Sequence, residues 1–375
     1  MHVDWDAIVV GGSFGGLAAA MELAGAGRVL VIDREPIGAG ETSACGTLLG
    51  VLERLEALEA LEQVHEEIVL HFEGGRSRRV GTRYPFATFD YRALCQLLFG
   101  RTDATFVQAS VTGMGDGEVS TTLGPLRARL LIDASGWRSA LGGAARPDLV
   151  PADALGLGIE LRAPVVGDGL HFWVRPSQMP CGVTWQFPAG TSSRVGIACY
   201  RGRGGLKAPL DDFLDKEAFP DSTPPPKVHG GLIPSRLRDP VAGPVLLVGD
   251  AAGQCLPLTA EGIRPALVFG QIAGRLARQA LDGVLTLEQV REQYRREVRA
   301  RRHQYRLLEG MQAMLLRSPQ RVLPMFAWLF GKSPLTGPAQ RAYWELADPG
   351  LLQPGHDLAE APARIGAAEV PEGRN

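Results

Sequence analysis

The stretch that most restricts what this chain can become is Ile8 to Gly16, IVVGGSFGG, followed by the helical run LAAAMELAGAG and the apolar segment VLVID ending at Asp33. An apolar strand, a glycine-rich turn, a helix, a second apolar strand and a terminal acid come in the order of a dinucleotide-binding βαβ unit. Gly11 permits the tight turn and Gly16 lets the helix pack close to the strand. The amides at the helix start, along Gly11, Gly12, Ser13, Phe14, Gly15 and Gly16, then face a pyrophosphate, helped by the helix dipole. Ser13 stands where the middle glycine of such a turn usually falls; its small side chain admits the phosphates and its hydroxyl offers a donor. Asp33 lies 17 residues after Gly16, where a carboxylate accepts from ribose hydroxyls, and Arg34 beside it is counted with the cofactor contacts. The competing account of these residues is a glycine-rich turn in an ordinary α/β domain.

At 375 residues the chain is long enough for two domains and a large core. Hydrophobic residues make up 45% and charged residues 21%, as in soluble globular proteins, and a net charge of −2 gives no reason to expect a nucleic-acid partner. The five cysteines, Cys45, Cys95, Cys181, Cys199 and Cys255, are odd in number and form no CxxC pair, so reduced thiols are expected and no metal site. The first strand begins almost at Met1, which leaves no room for a signal peptide, and no apolar run reaches the roughly 18 residues of a spanning helix. A cytoplasmic protein is expected, with peripheral membrane contact as the added alternative.

The rest of the chain divides by texture. An irregular Gly/Ser/Thr-rich loop follows Asp33 and carries Cys45 and Gly46 near its end. Leucines at 52, 55, 58 and 61 predict an amphipathic helix over 51–66, and Gly74-Gly75 predicts the turn of a β-ribbon over 67–82. Asp90 caps a predicted helix with Leu94, Leu97 and Leu98 on its apolar face. Arg92 falls in its first turn, where the dipole disfavours a cation unless an anion is near. Strands are expected at 104–111, 118–123 and 128–136. LGLGIEL, GLHFWV, GVTWQF and RVGIACY alternate as an antiparallel sheet, with one helix near 210–218 and a rigid TPPPK connector at 223–227. The α/β texture returns at 244–281, where Gly270 and Gly274 predict close packing of a long helix. Residues 286–318 are predicted helical, with Leu287, Val290, Tyr294, Val298 and Tyr305 on one face. Arg291, Arg295, Arg299, Arg302 and Arg306 mark a neighbouring face, solvated or against phospholipid. The apolar segment 322–331 is expected to be a core or lid helix. The expected architecture is an α/β fold: a discontinuous Rossmann-like FAD-binding domain (1–66, 83–150 and 240–285), an antiparallel-sheet substrate domain (67–82 and 151–239), a C-terminal helical region (286–353) and a disordered tail (354–375).

FAD is preferred over NAD because three separated motifs line up: GGSFGG at 11–16, DASG at 133–136 and GDAAGQCLPLTAEGI at 249–263. A ribityl chain and isoalloxazine reach beyond the pyrophosphate and need contacts from a later strand end. Asp250 suits ribityl hydroxyls, and the helix starting near Gly262 and Ile263 points amides towards the flavin N1–C2=O. With these motifs the chain resembles the FAD-dependent oxidoreductases of the p-hydroxybenzoate hydroxylase fold, and among them the geranylgeranyl reductase family. The narrower resemblance rests on VTWQFPAGTSSRVGIA at 183–198, similar to that family's Tyr-x-Trp-x-Phe-Pro segment followed by Gly-x-Gly, and on the Cys45-Gly46 loop. Trp185, Phe187, Pro188 and Gly196 match, Val183 replaces the tyrosine, Ala198 the last glycine, and Ala260 stands where the family more often has glycine.

The resemblance implies reduction of isolated C=C bonds in a prenyl chain. It places Cys45 beside the flavin and Trp185 at the reactive site, Arg92 on the FAD phosphates and Val111 against the adenine through its backbone. Phe172, Trp173, Trp185 and Phe187 would line an apolar tunnel for an apolar small-molecule substrate. There is no second nucleotide fingerprint, so the electron donor, NAD(P)H or another reductant including an electron-donor protein, would bind transiently. The same FAD motifs serve a single-component monooxygenase that hydroxylates an aromatic or other apolar small molecule, and that alternative stays open.

Overall fold

The computed structural model describes residues 4–115, 117–149, 155–179, 182–200, 204–217, 219, 227–317 and 338–352. The apolar segment at 322–331, the tail from 354 and all of TPPPK but its lysine lie outside the described residues. β1 (Trp5–Val10), α1 (Phe14–Glu22) and β2 (Val29–Asp33) form the unit that the opening stretch predicts. Gly11 sits at φ +109°, and a Cβ there would lie 2.3 Å from the Ala134 carbonyl oxygen; at Gly16 it would lie 1.9 Å from that of Gly11. No residue but glycine fits either place without moving backbone.

The helix expected over 51–66 breaks up: its start is α-helical to Arg54 and its end, from Leu61, is strand. β3 (Gly46–Leu48) leads into α2 (Leu49–Arg54), which ends before Glu56 takes φ +49°. A single turn at Leu58–Ala60 follows, and the chain then extends as β4 (Leu61–His71) and returns as β5 (Ser77–Phe89). The leucine spacing fits a helix, but Leu58 is exposed and Gln63, Val64 and His65 pair with Thr88, Ala87 and Phe86. Long-range pairing overrides local periodicity here. Residues 61–66 and 83–89, grouped from sequence with the nucleotide-binding part, therefore run in strands of a different sheet. The hairpin turns through Gly74 and Gly75, both at positive φ, as their dipeptide predicts.

α3 (Tyr91–Gly100) is capped by Asp90, whose Oδ1 accepts from the Ala93 amide at 2.7 Å. The stretch 104–111 is two strands. β6 (Thr105–Gln108) runs parallel to β2, and β7 (Val111–Gly115) opens a small antiparallel sheet with β8 (Glu118–Thr121) and β9 (Gly124–Leu126). β10 (Ala128–Asp133) returns beside β1, and α4 (Gly142–Ala145) follows. Next come β11 (Leu155–Ala163), β12 (Leu170–Trp173), β13 (Gly182–Ala189), β14 (Ser192–Cys199), α5 (Lys207–Lys216) and β15 (His229–Pro234). β16 (Val241–Ala242) and β17 (Val245–Leu247) lead to the long α6 (Ile263–Leu281). α7 (Leu287–Ala300), α8 (Arg302–Arg317) and α9 (Pro338–Ala347) are the remaining α-helices among the described residues.

One six-stranded sheet has the order β16-β17-β10-β1-β2-β6 and is parallel except for the β16–β17 hairpin. The other, eight-stranded, has the order β15-β11-β14-β13-β12-β4-β5-β3. It is antiparallel apart from β12 beside β4, which run parallel because the chain reaches β12 by a long crossover and not by a hairpin. On this sheet Leu161, Ala163, Trp173, Val195 and Ile197 face α5, packing on Leu210 and Phe213. The opposite face carries Glu160, Phe172, Trp185 and Phe187 and turns towards the site.

Gly270 and Gly274 bring α6 onto α1: a Cβ at Gly270 would meet the Gly15 carbonyl oxygen at 2.3 Å, and one at Gly274 that of Ala19 at 2.5 Å. Val290, Tyr294, Val298 and Tyr305 are buried as predicted, and Leu287 is exposed. Arg291 pairs with Glu288 at 2.6 Å and Arg295 with Asp239 at 3.3 Å, so part of the arginine stripe is spent on the protein's own acids. Among the described residues no helix is long and apolar enough to cross a membrane.

Candidate active site

A cavity of ≈ 760 Å³ lies between the C-terminal ends of β1, β2, β10 and β17 and the inward face of the eight-stranded sheet. Strand C-termini are where open parallel sheets bind ligands, because loops and helix N-termini converge there. Gly11, Gly12, Ser13, Phe14 and Gly15 line one end, with Asp33, Arg34 and Val111; Gly16 sits under the turn and does not line it. Asp33 is held by backbone, its Oδ2 accepting from the Gly12 amide at 2.7 Å and Oδ1 from the Glu35 amide at 3.0 Å. Each carboxylate oxygen keeps a lone pair for a hydroxyl donor. Ser13 makes no side-chain cap to α1, and its Oγ accepts from the Tyr91 hydroxyl at 3.1 Å, which leaves the serine proton free to donate. The first-turn amides of α1 have no intrahelical partner. A glycine cradle, uncapped amides and a fixed carboxylate are the donor and acceptor set that an adenosine diphosphate moiety needs.

Arg92 is not brought to this set. It is exposed in the first turn of α3, outside the cavity lining, where its backbone packs so close to Gly38 that a Cβ there would come within 2.8 Å of the Arg92 Cα. Among the described residues, the arginines that line the cavity are Arg34 and Arg138.

The middle of the cavity is built by two loops. Asp133 is fully buried and accepts from the Ser135 amide and hydroxyl, the Ser139 hydroxyl and the Leu141 and Gly142 amides, all at 2.6–3.0 Å. It shapes the Ala134–Arg138 loop without itself reaching the cavity. Arg238, buried, donates to the carbonyl oxygens of Trp137, Asp250 and Ala251 and so ties that loop to the turn after β17. Asp250 lines the cavity beside Gly262 and Ile263. Burial pushes its carboxyl up to about 6, with Arg238 opposing. α6 starts at Ile263 without a side-chain cap, a second helix N-terminus aimed at the same space. Glu261 beside it is fixed by the buried Arg264 and by the Tyr343 hydroxyl of α9, which donates at 2.9 Å.

At the inner end the pairing register sets a row across the sheet: His229 opposite Glu160, Glu160 opposite Gly196, Gly196 opposite Trp185, Trp185 opposite Phe172. Gly196 leaves room for the indole, since a Cβ would meet Trp185 Cζ2 at 2.2 Å. Trp185 lies across that gap and donates from Nε1 to Glu160 Oε2 at 2.8 Å. Phe172 packs edge-on against Phe187 with centroids 5.2 Å apart, and both line the cavity. Trp173, expected in the same wall, is on the other face. It packs on Phe213 and donates to Glu217 at 3.0 Å, because successive residues of a strand point to opposite sides.

Cys45 and Gly46 line the cavity beside Phe187. Cys45 takes φ +49°, a conformation that a non-glycine residue holds at some cost, and its Sγ donates to the Ser43 carbonyl oxygen at 3.3 Å. Burial raises the thiol well above its usual range, with Arg194 opposing, so it stays neutral. Behind it lies a buried ionic cluster that sequence reasoning missed. Arg194 is 0% exposed and contacts Glu41, Glu160 at 3.3 Å and Glu62 at 3.9 Å. The signal was present: Glu160 and Arg194 are charged residues at inward positions of two alternating apolar strands, LGLGIELRA and SSRVGIAC. Tyr91 and Tyr343, which also line the cavity, carried no such signal. Among the described residues no group of three or more His, Cys, Asp or Glu is placed to hold a metal ion.

No family model matches the chain. Single relatives do. A digeranylgeranylglycerophospholipid reductase of Methanopyrus kandleri is 29% identical over 325 residues, 75% of this chain and 78% of that protein. One from Methanosarcina acetivorans is 31% identical over 186 residues, 46% of each chain. Among solved structures, a geranylgeranyl bacteriochlorophyll reductase-like protein from Thermoplasma acidophilum superposes with a TM-score of 0.76 at 21% identity, covering 92% of this chain and 97% of that one. A probable FAD-dependent monooxygenase from Pseudomonas aeruginosa gives 0.64 at 17% identity, over 86% and 99%. The latter likeness is one of fold. The extended sequence match is to the reductases: over three quarters of its length, and with the glycine turn, Asp33, Asp250 and the Trp185 strand facing one cavity, the chain is similar to digeranylgeranylglycerophospholipid reductases, and it shares its fold with a geranylgeranyl bacteriochlorophyll reductase-like protein.

Proposed function

We propose that this protein adds two hydrogens across C=C bonds of a prenyl chain, using FAD held in the cavity between the two sheets. The observation that carries this is the continuity of that cavity from the glycine turn to a wall of Phe172, Trp185 and Phe187. When bound, the flavin supplies a hydride to an apolar substrate. Gly11, Gly12, Ser13, Phe14 and Gly15 would hold the pyrophosphate on the amides of α1, and Asp33 the ribose, with Arg34 at the same end. Val111 would meet the adenine through its backbone, Asp250 the ribityl hydroxyls, and the Gly262 and Ile263 amides the flavin carbonyl edge. Cys45 and Gly46 would border the ring. Phe172, Trp185 and Phe187 would orient the prenyl chain and exclude water, which an unactivated alkene requires because geometry replaces carbonyl polarisation. NAD(P)H or another reductant, including a donor protein, would dock transiently. A lipid-borne substrate also gives the exposed Arg299, Arg302 and Arg306 a role as contacts to an anionic membrane surface.

Mass spectrometry of the prenyl lipids and quinones of cells with and without the protein tests this reading. The expected result is a series of products heavier by successive pairs of hydrogens only where the protein is present. Identical profiles in a strain shown to contain the FAD-loaded protein contradict it.

A further inference from the structure

The turn at 249–262 reaches the cavity with its two halves held differently. The first half is anchored from behind. Tyr294 of α7 donates to the Leu247 carbonyl oxygen at 2.7 Å, Tyr305 of α8 donates to that of Gln254, and the Gln254 side chain accepts from the Gly249 amide at 2.7 Å. The second half is closed by a bridge between Leu256 and Glu261, and it contains two non-glycine residues at positive φ, Leu258 at +72° and Ala260 at +53°. Across Leu258 the Thr259 amide donates to the Pro257 carbonyl oxygen at 2.9 Å. A hydrogen bond that spans a single residue at this φ makes the strained form of the γ-turn, which a leucine seldom adopts unaided.

The aid comes from two other parts of the chain. Leu258 is buried and does not line the cavity, whereas Thr259, Ala260, Glu261, Gly262 and Ile263 after it do. Its amide donates to Gln312 Oε1 of α8 at 2.7 Å, and its carbonyl oxygen accepts from the hydroxyl of Tyr200, which follows β14 of the eight-stranded sheet. These partners lie 54 and 58 positions away in sequence. A strained turn relaxes by rotating the peptide groups on either side of its central residue. With the Leu258 N–H and C=O both held, that rotation costs two buried hydrogen bonds.

We propose that Tyr200 and Gln312 are positioning residues for the flavin. By holding Leu258 in its strained turn they aim the backbone of 259–263, with the uncapped start of α6, at the N1–C2=O edge, and so set how readily bound FAD is reduced. This rests on the placement of FAD in the cavity given above. Negative charge gathers on that edge when the flavin is reduced, so amide donors fixed there bind reduced FAD more tightly than oxidised FAD. Donors on a relaxed turn must reorganise first, and the preference shrinks. Tyr200 and Gln312 also line the cavity, so direct contact with the bound ligand is the competing account.

Three variants of the full chain test this. Tyr200→Phe removes one hydroxyl and Gln312→Met one acceptor at nearly constant volume. Leu258→Ile leaves both partners intact and puts a β-branched residue where φ is positive, which disfavours the turn itself. In the FAD-free protein, hydrogen exchange at 256–262 should quicken by about tenfold in Tyr200→Phe and Gln312→Met, with the later turns of α6 unchanged. In the FAD-loaded protein, a redox titration of all three variants should show reduced FAD losing about tenfold in binding relative to oxidised FAD, a potential lower by about 30 mV for a two-electron couple. A turn that exchanges faster while the potential keeps its parent value overturns the proposal. A potential that falls in Tyr200→Phe and Gln312→Met but not in Leu258→Ile also overturns it, in favour of direct contact. If Leu258→Ile does not fold, the Tyr200→Phe/Gln312→Met double variant decides: a clamp that works as a unit gives nearly the single-variant shift, and two independent contacts give the sum. A parent protein that takes up no FAD overturns the FAD placement and the role of the clamp together. A parent whose potential follows the clamp but which saturates no alkene overturns the alkene reading alone.

Discussion

Trp185 and Trp173 belong to neighbouring strands of one sheet yet face opposite ways, the first into the cavity and the second onto α5. Their variants should separate chemistry from packing. Trp185→Phe keeps most of the volume and removes the bond to Glu160; it should retain FAD and change how many bonds are reduced. Trp173→Phe loses the bond to Glu217 and should cost about 1–3 kcal/mol of stability with the product distribution unchanged. Product analysis per bound FAD, beside urea titrations, checks both, and an altered product pattern in Trp173→Phe would place that residue wrongly. Cys45→Ala removes a small buried thiol and leaves the positive φ in place; a stability loss of about 1 kcal/mol is expected, with FAD retained and the product pattern altered. Much of this site was legible from single residues. Gly11, Asp33, Cys45, Asp250 and Trp185 all line the cavity. Arg92 lies outside the cavity lining, and the helix-dipole argument could not place it, since it says that an anion would help and not that one is there. Trp173 was misjudged because adjacency in sequence was taken for adjacency in space, which a strand forbids.

The two helices whose N-termini reach the cavity are also packed on each other, and glycine sets their separation. Gly270→Ala would push a methyl to 2.3 Å from the Gly15 carbonyl oxygen, which forces α6 away from α1 and from the cofactor turn. It should cost about 1–3 kcal/mol and lower FAD retention together, as read by thermal unfolding of the FAD-free protein and by FAD titration. Unchanged values of both would mean that the helices separate without consequence. At this scale the sequence is readable where structure is local. The βαβ unit, the Asp90-capped helix and the alternating strands follow from short-range pattern. The segment 51–66 does not, because its leucines satisfy a helical period while its backbone is recruited by β5 and its chain reversed by Glu56 at positive φ. Nor does the parallel pairing of β4 with β12, residues about a hundred positions apart joined through another layer.

The cavity exists only because two sheets meet around it, and the eight-stranded sheet has a pH signature of its own. His65 is buried between β4, β5 and β13, its Nε2 facing the Pro188 carbonyl oxygen at 3.0 Å. Burial holds its imidazole down to about 4, against 6.5 in an unfolded chain. Between those values the unfolded state binds the extra proton, so stability should fall as pH drops from about 6.5 to about 4, by about 3 kcal/mol for this residue. His71, lowered to about 4 mainly by burial, acts in the same direction. Asp250 acts oppositely in the FAD-free protein, because its folded form keeps a proton below about 6 that the unfolded chain releases down to 3.8. His65→Gln should flatten the loss in urea titrations across this range; an unchanged slope contradicts the assignment. The central claim concerns the chemistry that the cavity permits, and its most direct measurement is a single anaerobic turnover. The FAD-loaded protein is reduced with a chemical reductant, freed of excess reductant, and mixed with a polyprenyl lipid in the absence of oxygen. The account predicts that the flavin reoxidises in step with one C=C bond saturated per FAD; a flavin that stays reduced until oxygen is admitted, with the substrate then gaining an oxygen atom, contradicts it.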